Sequence, residues 1–144
     1  MTATNIFLNN TVGLKINNVD LSDHVKSVTL NRQFDELEVT AMGDYSHRFV
    51  KGLEASTLTV DFLNDDSAGS VLATLQSAWG TSVSFAMVQT KGATTTISAT
   101  NPLYTGMVLV NKTTDINGAV GDISTQTITF TINSVVTVAS TGTW

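Results

Sequence analysis

The residues whose types and spacing could support chemistry gather around the two histidines of this 144-residue chain. His24 closes the run Asp20-Leu-Ser-Asp-His24, a carboxylate–histidine cluster of the kind that can begin a metal site. A bound metal needs three or four converging ligands, and no His-x-x-x-His or comparable pair accompanies the run. The expectation is a polar turn whose side chains bond their own backbone. His47 lies beside Ser46 and Arg48, close to Asp44, which invites a Ser/His/Asp reading. Neighbours along one loop do not supply the orientation a triad requires, and no nucleophile elbow is present. The pair Asp65-Asp66 suits the start of a helix through its dipole. Gly118-Ala-Val-Gly121 lacks the Lys and the strand-to-helix setting of a phosphate loop. The sequence therefore predicts no catalytic residue, no metal and no cofactor.

Composition narrows the partners. Only 13% of residues are charged, against about 25% in typical soluble domains, and hydroxyl side chains, above all Thr, fill the deficit. Thr favours pleated, half-buried surfaces, and charge is depleted in the cores of interfaces. A formal charge of −5 opposes tight binding of DNA but suits a surface past which DNA slides. The basic residues are scattered rather than gathered into a patch with aromatics. There is no cysteine, hence no disulfide framework. The first residues do not read as a signal peptide, and no apolar run approaches a membrane span. The expectation is cytoplasmic production with no membrane partner.

The elements that must position these residues are mostly strands. Period-2 alternation marks 14–16, 25–32, 36–40, 57–63, 83–88, 97–99, 104–111 and 125–138, about eight strands, enough for a β-sandwich or barrel. Leu58, Val60 and Phe62 alternate with Thr57, Thr59 and Asp61. Ile128, Phe130 and Ile132 alternate with Thr127, Thr129 and Thr131. One segment departs from this period: Val71, Leu72, Leu75 and Trp79 fall at helical spacing, with Asp66 or Ser67 as cap and Gly80 as the stop. The spacing predicts one helix over about 67–79, laid on the sheet with Trp79 in the core. One domain over 1–144 is expected, with flexible arms at about 1–11 and 139–144. The connection between the strands at 36–40 and 57–63 is long for a hairpin. It holds Met42, Gly43, Asp44, Tyr45, Ser46, His47, Arg48, Phe49, Val50 and Lys51.

The order of several segments resembles the tail tube (major tail) proteins of long-tailed bacteriophages, across about residues 12–138. The segments are Asp20-Leu-Ser-Asp-His-Val-Lys-Ser-Val-Thr29, Leu37-Glu-Val-Thr-Ala-Met-Gly-Asp44 and Gly52-Leu-Glu-Ala-Ser-Thr-Leu-Thr-Val-Asp-Phe62. A helix ending at Trp79-Gly80, a strand with Phe85, Asn101-Pro-Leu-Tyr-Thr-Gly106 and a final Thr-x-Thr strand follow. The tail tube of a gene-transfer agent would look similar. The resemblance implies a structural virion protein that forms stacked hexameric rings, assembled in the host cytoplasm. Its tube would conduct DNA without binding it specifically, beside tape-measure, tail-terminator and tail-tip proteins. It also implies that the 42–51 loop reaches a neighbouring subunit, with Tyr45 and Phe49 as anchors and Asp44, Arg48 and Lys51 setting register. The flanking strands would then carry the channel lining: Thr29, Asn31, Glu36, Glu38, Thr57, Thr59 and Asp61. The alternative is a monomeric β-sandwich binding module of carbohydrate or adhesin type. Such a module would be expected to cluster exposed aromatics, and two Trp and two Tyr are few for that.

Overall fold

A computed structural model describes residues 11–144, so all but the last residue of the expected N-terminal arm lies outside the described residues. The described residues open with β1 (Gly13–Ile16) and β2 (Val19–Asp20), joined by Asn17-Asn18. Both asparagines adopt positive φ, 53° and 63°, the conformation a two-residue hairpin turn demands. A 3₁₀ turn at Ser22–His24 leads into β3 (Val25–Asn31), and β4 (Phe34–Glu38) follows almost without a break. The chain returns through β5 (Phe49–Glu54) and β6 (Thr57–Leu63), then passes through α1 (Val71–Ser77) to β7 (Ser82–Val88). The remaining strands are β8 (Leu103–Leu109), β9 (Thr125–Ile132) and β10 (Thr137–Ala139).

All pairings in the main sheet are antiparallel, in the order β2-β1-β7-β8-β9-β6-β3, with β10 added beside β8. The sheet folds over at β9. That strand pairs with β6 from Thr125 opposite Leu63 to Thr131 opposite Thr57, but meets β8 only through Val108–Ile132 and Leu109–Thr131. After the interruption at 133–136, β10 resumes along β8 with Val138 opposite Tyr104. At this corner the Met107 carbonyl accepts the Asn133 N–H at 2.8 Å, and the Met107 N–H donates to Ser134 Oγ at 2.9 Å. Strands that change sheets through such a bulge let one layer close over the other. The result is the mostly-β sandwich with one helix that the sequence predicts.

The two layers enclose a single apolar core. Leu14, Ile16, Phe85, Met87 and Val108 come from one layer, and Leu58, Val60, Phe62, Ile128 and Phe130 from the other. The helix adds Val71, Leu75 and Ala78.

Four expectations change in detail. The helix is shorter than 67–79, because residues before Ser70 form a turn fastened by Asp65, which accepts from the Ser67 N–H at 2.9 Å. Trp79 is 55% exposed rather than core: the helix stops at Ser77, Ala78 takes the buried position, and Gly80 at φ +73° turns the chain away. The strand expected at 97–99 is reduced to isolated bridges, although Ile97 is buried. The segment after Ala139 returns to the body, with Thr143 bridging Thr96 and Lys15 Nζ 4.5 Å from the centre of the Trp144 ring.

Candidate functional site

The connection expected as a loop at 42–51 is partly a strand. Phe49, Val50 and Lys51 belong to β5, which pairs with β4 as a separate two-stranded sheet, and the true tip is 39–48. The pairing explains why these residues extend: Leu37 faces Val50, Glu36 faces Lys51 and Glu38 faces Phe49. The first two are the apolar and opposite-charge cross-strand pairs that stabilise a hairpin. A shift of register between Phe34 and Glu36 sets Gly52-Leu53 against Asp35. Glycine is required there, because an added Cβ at Gly52 would lie 2.7 Å from the Asp35 carbonyl oxygen.

The tip is tied by local polar contacts. Asp44 Oδ2 accepts the Ala41 N–H at 2.8 Å, the Asp44 N–H returns to the Ala41 carbonyl, and Gly43 takes φ +92°. Arg48 Nη1 reaches Asp44 Oδ2 at 3.5 Å. His47 Nδ1 lies 2.7 Å from Glu38 Oε1, so this histidine is engaged by a carboxylate across the hairpin rather than by Ser46. Hydrogen bonds from His47 and Thr40 hold the Glu38 carboxyl below its ordinary pKa.

What the hairpin lacks is a core. Leu37 and Val50 share one face with Val39, whose N–H donates to the Arg48 carbonyl. Phe34 and Phe49 share the other with Glu36, Glu38 and Lys51, and Lys51 Nζ stands 5.6 Å over the Phe34 ring. All five apolar residues are exposed; Leu53 is 80% exposed, and Met42 and Tyr45 at the tip are fully so. A lone two-stranded hairpin is marginal in water, and apolar groups on both of its faces have nothing to bury against within the described chain.

The expected lining residues divide between two places. Thr29, Asn31, Thr57, Thr59 and Asp61 come together on the outer face of β3 and β6, and β9 extends it. The rows are Ser27–Asp61–Thr127, Thr29–Thr59–Thr129 and Asn31–Thr57–Thr131. Thr59 and Thr129 hydroxyls meet at 3.2 Å, and Thr127 Oγ1 donates to Asp61 Oδ1 at 3.2 Å. Glu36 and Glu38 are not part of this face; they stand on the hairpin, beyond the point where β3 and β6 stop pairing. Ser27, Thr127, Thr129 and Thr131 share this face and were not among the residues expected on it, although the Thr-x-Thr alternation of β9 carried the signal. Asp61 is the one charged residue in the three rows.

The second histidine cluster is structural. Asp20 accepts the Ser22 N–H at 3.0 Å and pairs with Lys91 Nζ at 2.9 Å. Partial burial pushes the Asp20 carboxyl up, but the hydrogen bonds from Ser22 and the Lys91 ammonium outweigh it and leave it below its ordinary value. His24 turns away from Asp20 and Asp23 to meet Asp65 Oδ2 at 2.8 Å, linking β3's entry to the turn before the helix. Hydrogen bonds from the Ser67 hydroxyl and N–H, with His24 beside them, hold the Asp65 carboxyl far below the usual carboxylate range. Among the described residues, no three His, Asp or Glu side chains converge as a metal site would need. No helix of the described residues is long and apolar enough to cross a membrane.

No protein-family model matches the chain, and no curated protein matches it in sequence.

Proposed function

We propose that this chain is a structural, non-enzymatic subunit that assembles with copies of itself into stacked hexameric rings, a tube of the phage-tail type through which DNA passes. The observation that carries the reading is the β4–β5 hairpin, a coreless projection with exposed apolar residues on both faces. Exposed apolar surface of this kind marks an interaction site. A projection on one side of a subunit that docks on a different surface of the next makes a head-to-tail contact, and such contacts close into rings or propagate as filaments. Closure also protects the edge of β3 that has no strand partner among the described residues and would otherwise invite aggregation.

The hydroxyl face of β3, β6 and β9 is the proposed channel lining. Its three rows hold neither Lys nor Arg, so a polyanion passing over it finds hydroxyls to exchange water with and no cation to arrest it. Glu36 and Glu38 leave the lining and join the joint between subunits. In this reading the protein resides in a virion tail, is assembled in the host cytoplasm, and meets tape-measure, tail-terminator and tail-tip proteins at the ends of the tube.

Negative-stain electron microscopy of the purified protein, concentrated with and without a tail-tip or scaffold partner, tests the proposal. Rings or tubes are expected; a strict monomer under both conditions overturns it in favour of a monomeric binding module.

A further inference from the structure

The connection between β8 and β9 is long and irregular, and polar side chains fasten it to the end of the sheet. Gln126, only 4% exposed, holds its base: Oε1 accepts the Thr114 N–H at 2.8 Å, and Nε2 donates to Asn64 Oδ1 at 2.7 Å. On the other side, Asn64 Nδ2 donates to Ser124 Oγ at 2.8 Å. Between these two anchors the Asn117 amide ties down the tip, with Nδ2 donating to the Thr125 carbonyl at 2.7 Å. The tie stands beside Asp65, Asp66 and Asp115, which line the same cleft.

Gly118 follows Asn117, and both are exposed. This is the one Asn-Gly pair in the chain. The side-chain carbonyl of such an asparagine is open to attack by the next backbone nitrogen. No side chain screens that nitrogen, and glycine reaches the required conformations at little cost.

We infer that Asn117-Gly118 is a self-modification site whose reaction irreversibly releases the β8–β9 connection. The Gly118 nitrogen gives up its proton to water and bonds to Asn117 Cγ. The Cγ–Nδ2 bond breaks, Nδ2 leaves as ammonia with a proton from water, and a five-membered imide joins the two residues. Water then opens the imide at either carbonyl, leaving an aspartate or an isoaspartate at position 117. Neither product can donate to the Thr125 carbonyl. A carboxylate oxygen only accepts, so two acceptors face each other where the tie had been. The new charge also adds to those of Asp65, Asp66 and Asp115 in the cleft. The intact tie restrains the reaction, because Cγ must swing onto the Gly118 nitrogen and the bond to Thr125 must open first. Release is therefore slow, one-way and recorded in the residue left behind. The reaction belongs to the single chain and does not depend on self-assembly.

Asn133-Ser134 supplies an internal control: the Asn133 amide is likewise bonded, to Ser82 Oγ at 2.8 Å, but serine follows it. The full chain is aged in mildly alkaline buffer and mapped by peptide mass spectrometry. Conversion at Asn117, as both isomers, should run at least about tenfold faster than at Asn133. Gly118→Ala should nearly abolish it without disturbing the fold, since an added Cβ at Gly118 meets no described atom within 4 Å. Release is read with thermolysin, which cuts before the exposed Ile116, Val120 and Ile123. Loss of the one hydrogen bond should raise that cutting about fivefold in Asn117→Asp and in aged wild type, but not in aged Gly118→Ala. Equal conversion at Asn117 and Asn133, or none at Asn117, overturns the modification site. Cutting of Asn117→Asp at the rate of fresh wild type overturns the release.

Discussion

The β4–β5 hairpin and the β3–β6–β9 layer adjoin along the chain, β4 following β3 and β5 preceding β6, yet they differ in every respect that sets stability. In the layer, alternation divides cleanly. Val28, Val60 and Ile128 form one inward row and Leu30, Leu58 and Phe130 another, while Thr29, Thr59 and Thr129 stand outside. In the hairpin, apolar residues occupy both faces and none is buried. A layer with one apolar face satisfies itself by folding over its partner layer. A ribbon with two half-apolar faces finds no such solution among the described residues, and the proposed function assigns its cover to a second chain. In the proposed reading, the difference separates what folds the subunit from what joins subunits.

Removing a side chain from the layer should unfold the subunit. Phe130 is completely buried between the layers, so Phe130→Ala should cost about 3–5 kcal/mol of unfolding free energy, measured by urea denaturation. A loss below about 1 kcal/mol would mean that the layer is not the stabilising core.

The next effect belongs to the hairpin. Gly52→Val places a side chain against the Asp35 carbonyl, with the Cβ 2.7 Å from its oxygen. Assembly should be lost by light scattering, while the unfolding free energy of the isolated subunit changes by less than about 1 kcal/mol. Unimpaired assembly would show that the hairpin's shape does not matter.

The smallest effect is local to the body. Asp65 is held far below the usual carboxylate pKa by Ser67 and His24. A carboxyl lowered on folding stabilises the folded state above its unfolded pKa of about 3.9, and that contribution fades as pH falls through the folded value. Asp65→Asn should therefore be less stable than wild type at pH 7, with the gap closing as pH drops below about 4 in urea titrations. A gap independent of pH would place the effect in shape, not charge.

These contrasts were unevenly legible in the sequence. The layer was readable because strict alternation fixes both its faces: Leu58, Val60 and Phe62 could only turn inward together. The strand at 36–40 was expected, but the start of β5 was read as loop because Phe49-Val50 is an apolar pair without alternation. Its extended form depends on cross-strand partners, Glu38 and Leu37, that no local pattern reveals. Glu36 and Glu38 were placed with the lining by continuing the period of β3, whereas Arg32-Gln33 interrupts the strand and carries them onto the hairpin. Trp79 was misplaced for a related reason: helical spacing identifies a stripe but not where the helix stops.

Electron microscopy of Leu37→Ser/Val50→Ser beside the wild type, paired with thermal melting of both, tests the central claim most directly. Self-assembly through the hairpin predicts rings or tubes for wild type. It predicts dispersed monomers for the variant, with unfolding free energies of the isolated subunits within about 0.5 kcal/mol of each other. Tubes from the variant that match wild type, or monomers from both, would contradict the account.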